Sequence, residues 1–241
     1  MCRSATMLTN HSDLSKSPCP MPEAPSTLPG DRCPRQILTS WWRWTGAIAA
    51  AAALIAAAQI VPFLRPARAY VAPIAFLYLP FLLDRTLSAR QVGLTVPNRS
   101  GLVAAIVSGA IIAAGFFIVT RFFLWGPWPG PPQSIGERLL AELLFAALPE
   151  ELFFRGWLQP QADRLLGGRA WGRGTFRLTA ANLVTAAAFA VIHLVTGRID
   201  RLSVFFPGLW FGWLTECSGS IWPAIVLHAL SNLGMAAASG Y

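Results

Sequence analysis

An all-α, polytopic transmembrane helical bundle is the fold class this sequence predicts, and three observations predict it. Apolar residues make up 54% of the 241-residue chain and charged residues only 12%, against about 25% charged in an average soluble domain. Seven apolar segments recur along the chain, at about residues 45–63, 69–83, 101–124, 139–158, 178–196, 202–215 and 221–238. Several of them approach the roughly 20 residues a helix needs to cross hydrocarbon. The arginines sit between these segments, as they do in loops that anchor membrane helices.

Residues 1–40 are rich in Pro, Ser and Thr and lack apolar periodicity. They cannot bury enough surface to offset the entropy of ordering, so they read as a disordered cytoplasmic leader. Trp41, Trp42 and Trp44 open the first apolar run and read as an interfacial belt. Residues 41–134 then hold the N-terminal transmembrane helices, and residues 135–241 the candidate catalytic core. The second and sixth segments are short enough to be tilted, re-entrant or extended by their flanks, which allows roughly six to eight spans around a best count of seven. Between the fourth and fifth segments, residues 167–174 (Gly-Gly-Arg-Ala-Trp-Gly-Arg-Gly) read as a flexible connecting loop. The four cysteines, Cys2, Cys19, Cys33 and Cys217, show no C-x-x-C spacing and specify neither a zinc knuckle nor a disulfide framework.

The net charge of +8 comes almost wholly from arginine, since Lys16 is the sole lysine. These charges are spread over loops and are not gathered on one face, which argues for a bilayer as partner and for no nucleic acid. With seven alternating spans and the N-terminus inside, twelve basic residues fall inside and six outside (Arg65, Arg68, Arg121, Arg138, Arg198 and Arg201). The excess places the N-terminus in the cytoplasm.

A charged group at the centre of a membrane helix costs at least roughly 2.5 kcal/mol, so ionisable residues inside spans are functional candidates. The fourth segment carries Pro149-Glu150-Glu151-Leu-Phe-Phe-Arg155. Glu151 and Arg155 stand one turn apart and can pair on one face, while Glu150 points about 100° away toward another partner. The fifth segment carries Phe189-Ala-Val-Ile-His193 and the seventh His228-Ala-Leu-Ser-Asn232, both at i,i+4 spacing. Glu and His held together in a low-dielectric pocket can act as general base toward water, and His and Asn side chains can donate to a developing oxyanion. No serine or cysteine is placed to be a nucleophile: Ser231 points elsewhere on its helix and Cys217 is remote. Two His with one Glu is also a catalytic zinc ligand set, although the His-Glu-x-x-His helix that usually supplies it is absent.

At these residues the chain resembles the CAAX protease and bacteriocin-processing (CPBP) family, also called the Abi family of intramembrane proteases. That family's motifs are Glu-Glu-x-x-x-Arg, Phe-x-x-x-His and His-x-x-x-Asn or Asp, each on its own helix. The stretches Phe206-Pro-Gly208-Leu-Trp-Phe211-Gly212 and Gly219-Ser-Ile-Trp-Pro223 are similar too. The resemblance covers roughly residues 135–240. It implies an endopeptidase in which Glu150 and His193 activate water, His228 and Asn232 support the oxyanion, and Glu151 and Arg155 position the site. It implies no metal, with zinc as the alternative, and a membrane-anchored protein or peptide as substrate. It also implies an integral membrane location, the bacterial inner membrane. Two other functions use the same buried groups: a proton-coupled transporter with a carboxylate and histidine relay, and a non-catalytic membrane immunity protein.

Overall fold

The computed structural model describes residues 34–119, 122, 134–173 and 177–239. Among these, seven helices take up the seven apolar segments one for one. α1 is Pro34–Ile60, α2 is Arg68–Leu83 and α3 is Arg99–Val119. α4 runs without a break from Ile135 to Leu166. α5 (Ala180–His193), α6 (Phe205–Ser218) and α7 (Trp222–Ser239) follow. The chain is an all-α membrane bundle: Trp41–Ile60, Pro62–Leu83 and Arg99–Val119 are long and apolar enough to cross a bilayer, with mean hydropathy 1.3, 1.4 and 2.6. The other four helices are shorter or carry polar residues in their interiors.

Several expectations change in detail. The leader lies outside the described residues as far as residue 33, and residues 34–40 are the first turns of α1. Trp42 is exposed as a belt residue should be, but Trp44 is buried. Its indole Nε1 donates to the Leu158 carbonyl at 3.2 Å, so it joins α1 to α4. Such a partner is what a buried Trp N–H requires. In the connecting loop, Ala170–Trp171 pairs antiparallel with Leu178–Thr179 as a small ribbon, while residues 174–176 lie outside the described residues. Gly167, at φ 67°, takes the left-handed conformation that ends α4.

α4 also departs from a uniform helix. Its central turn, Leu148–Glu151, is flanked by two π-helical stretches, Glu142–Ala147 and Leu152–Leu158. Pro149 has no N–H to donate into the helix. Around it the backbone shifts to i→i−5 bonds, from Leu148 N to Leu143 O and from Gln159 N to Phe154 O. Such π insertions are tolerated chiefly where function repays them. The run Leu152–Leu158 is buried at every residue.

The bundle is closed by aromatic packing and close backbone approaches. Rings of Phe76, Phe153, Phe154 and Phe189 succeed one another at centroid distances of 5.0, 5.0 and 4.9 Å, linking α2 through α4 to α5. Gly101 lets α3 lie against α6, since a Cβ there would come 2.2 Å from Ser218 Cα. Small residues at helix contacts supply the dispersion that holds membrane helices together where no hydrophobic force acts between them. The loop before α3 laces to the α6–α7 turn: Asn98 Nδ2 donates to the Cys217 carbonyl at 3.0 Å and Ser220 Oγ to the Thr95 carbonyl at 2.6 Å. Asn98 Oδ1 also accepts the Gly101 N–H at 2.7 Å, capping α3.

Candidate active site

Arg155 is buried on the inner face of α4, where its guanidinium must find every partner inside the protein. Nη1 donates to Glu151 Oε1 at 3.2 Å, and Nη2 to the Gly208 carbonyl at 3.0 Å. The cation also lies 4.5 Å from the Phe189 ring centroid. Gly208 admits it, because a Cβ there would sit 3.2 Å from Nη2. Glu151 is fully buried and uses the same Oε1 to accept from His228 Nδ1 at 2.8 Å. An Arg–Glu–His chain thus crosses from α4 to α7. The i,i+4 pairing that the spacing suggests is formed.

The ring of His228 is stacked on Phe211 at 4.9 Å and 16° and meets the edge of Phe189 at 6.2 Å. Its other nitrogen, Nε2, stands 3.8 Å from Glu150 Oε2. Two carboxylates therefore flank this imidazole, an arrangement that complements positive charge on the ring. Glu150 turns away from Glu151, as the 100° step of a helix requires. Its Oε2 is buried and accepts no hydrogen bond from a described protein group.

His193 is held differently. Its Nδ1 donates to the Phe189 carbonyl one turn back at 2.8 Å, and its ring meets that of Phe189 at 4.5 Å. A carbonyl can only accept, so Nδ1 carries the proton and the lone pair of the neutral ring is on Nε2. Asn232 Nδ2 donates to Glu142 Oε2 at 3.0 Å, which fixes the amide orientation.

Glu150, His193, His228 and Asn232 all line one cavity of about 830 Å³, together with Phe189, Phe211 and Glu142. Glu151 and Arg155 do not reach it and lie behind His228. Residues 133–234 match the family described as Rce1-like, type II CAAX prenyl endopeptidase Rce1-like. This stretch carries an Rce1-like domain. The match takes in α4 to α6 and most of α7 and includes none of α1–α3. No curated protein and no solved structure matches the chain.

With the Rce1-like domain located, other side chains gain roles that the motifs alone did not reveal. Glu142 orients Asn232, and the only trace of this in sequence is a third carboxylate in the same segment, two turns before Glu150. Gly208 and Phe211 belong to the stretch Phe206–Gly212, and they receive Arg155 and support His228. Ser231 borders the cavity, but its hydroxyl is donated to the Leu227 carbonyl at 2.7 Å. Farther from the cavity, Gln159 Nε2 and Thr179 Oγ1 both donate to Glu216, a second buried polar layer that no motif signalled.

Among the described residues, no group of three or more His, Cys, Asp and Glu side chains is gathered as a metal ligand set. His228 gives Nδ1 to Glu151, and His193 gives Nδ1 to a carbonyl. Each histidine is thus oriented through Nδ1 by an acceptor, a hydrogen bond that is found on metal-ligating and on metal-free histidines alike.

Proposed function

We propose that this chain is an intramembrane endopeptidase that hydrolyses a membrane-proximal peptide bond of a membrane-anchored protein or peptide. The N-terminus lies in the cytoplasm, following the arginine excess of the loops on that side. The observation that carries the reading is Glu150 Oε2, a buried carboxylate oxygen with no hydrogen-bond donor among the described residues, facing a cavity shared with two histidines. A buried acceptor left unpaired costs about 1–3 kcal/mol, and a water held for reaction recovers that cost.

The two histidines are set for opposite tasks. His193, held through Nδ1 by the Phe189 carbonyl, joins Glu150 as the base for water. His228, backed by Glu151 and Arg155, presents Nε2–H in its protonated form and with the Asn232 amide donates to the oxyanion. Water attacks the carbonyl carbon while its proton passes to Glu150 or His193. The tetrahedral oxyanion is held by His228 and Asn232. That proton then goes to the leaving nitrogen, the C–N bond breaks, and a carboxylic acid and an amine leave. Membership of residues 133–234 in a domain family named for endopeptidases supports the same chemistry.

The test is a comparison of protein termini in membranes from cells carrying the wild-type chain, Glu150→Gln or His193→Ala. General-base catalysis is worth about 10²–10⁴-fold, so a substrate terminus seen with wild type should be lost with both variants. Full processing by both variants, each inserted at the wild-type level, rejects the proposal.

A further inference from the structure

We infer that the cavity opens on the outer face of the membrane, and that the polypeptide it takes has already been carried across the bilayer. The inference rests on the peptidase reading for the word substrate, but not for the direction of the opening.

The two ends of the bundle are distinct. At one end, Arg43 donates to the Leu83 carbonyl at 3.1 Å, and Arg43 and Arg164 both act on the Asp84 carboxylate, whose pKa is lowered chiefly by hydrogen bonds from Thr86. The loop of residues 84–98 bonds the α6–α7 turn at this end too, through Ile221 N and the Gly93 carbonyl at 2.9 Å. At the other end lie the start of α2, the start of α4, residues 194–204 and the end of α7. Tyr70 meets Phe145 there at 6.1 Å.

Every residue lining the cavity comes from this second end or from the middle of the bundle. Arg138, Arg198, Asp200 and Arg201 stand at its mouth, and no described residue of 84–98, 167–179 or 219–221 borders it. α5 has 14 residues, about 21 Å at about 1.5 Å per residue, which is short of the about 30 Å of the hydrocarbon core, and the turns that follow His193 lead to the cavity-lining residues Arg198 and Arg201.

Charge assigns the faces. Among the described residues the end away from the cavity holds nine arginines: Arg35, Arg43, Arg85, Arg90, Arg99 and the four between 164 and 177. The cavity end holds five: Arg65, Arg68, Arg138, Arg198 and Arg201. Basic residues in short loops mark the cytoplasmic side, so the cavity end is the outer one. The class of substrate is then an outward-facing segment next to a membrane anchor, and a cytoplasmic tail does not reach Glu150.

Single-cysteine variants read the direction. In a chain whose native cysteines are replaced, Arg201→Cys and Ile199→Cys place a thiol on the cavity end, and Arg90→Cys places one on the opposite end. With a membrane-impermeant maleimide, the first two should label in intact cells to the level reached after permeabilisation, and Arg90→Cys only after permeabilisation. Ile199 is exposed and outside the cavity wall, so it reports even if Arg201→Cys inserts poorly. The reverse pattern, or labelling at both ends in intact cells, overturns the inference. Peptidase failure is distinguishable, since it removes terminus changes without moving the label.

Discussion

α1–α3 and α4–α7 share helical geometry but place their polar groups by opposite rules. In the most apolar stretch of α3 only 11% of the residues are buried within protein, and Ile106, Ile111 and Phe117 on that helix are exposed. In α4 every residue from Leu152 to Leu158 is buried, Arg155 among them, with Glu151 just before. The first set of helices meets lipid and can be judged by hydropathy alone. The second excludes lipid from a chain of charged groups linked by hydrogen bonds, and its composition is misleading if read one helix at a time. A bilayer tolerates charge only where neighbouring helices provide its partners.

The hardest blow to this contrast is Arg155→Ala. It leaves Glu151 buried with His228 as its one hydrogen-bond partner among the described side chains and removes the donor to the Gly208 carbonyl. Breaking a buried ion pair from one side costs about 3–5 kcal/mol. Thermal unfolding of the purified protein in detergent should fall accordingly. A midpoint unchanged from wild type means that the buried charge chain is not structural.

Gly101→Ala comes next and tests whether α3 is passive throughout. Its added methyl would meet Ser218 backbone at 2.2 Å, and backbone cannot rotate aside. Overpacking of this kind costs about 1–3 kcal/mol. The expected loss, read in the same unfolding assay, would show that α3 has one specific face in an otherwise lipid-facing surface.

Legibility in the sequence divides along the same line. α1–α3 were visible because lipid imposes a length and an apolar composition on them, and α4–α7 because apolar runs surround their few polar residues. The pairing of Glu151 with Arg155 was visible because it is local, at i,i+4. What was not visible depended on three dimensions. That Trp44 reaches Leu158, 114 residues away, cannot be read from a tryptophan beside an apolar run. The partnership of Glu142 with Asn232 spans 90 residues. The π-helical stretch that runs up to Pro149 accompanies a missing N–H, but a proline by itself predicts a kink as readily.

Glu142→Ala sharpens the contrast inside the site. It frees the Asn232 amide to rotate, and one lost orienting hydrogen bond is worth about 1–1.5 kcal/mol, or about tenfold in rate. Peptidase turnover should fall by that factor with KM little changed. Glu142→Gln should restore most of it, because the amide oxygen accepts from Nδ2 as the carboxylate does. A merely structural role would show as lost stability without this rescue.

The smallest effect is expected on the lipid face of α3. Ile111 is 67% exposed within the protein and lies in the stretch of highest mean hydropathy, 2.6. Ile111→Ala opens no cavity among protein side chains. Its removed methyls exchange one apolar surroundings for another, since lipid tails are as apolar as the side chain lost. Stability should change by no more than about 0.5 kcal/mol, and α3 keeps hydropathy to spare for insertion. A loss well above this would place a protein surface against Ile111, a second copy of the chain being the simplest, and the amount of cross-linked dimer in the membrane would then fall with the substitution.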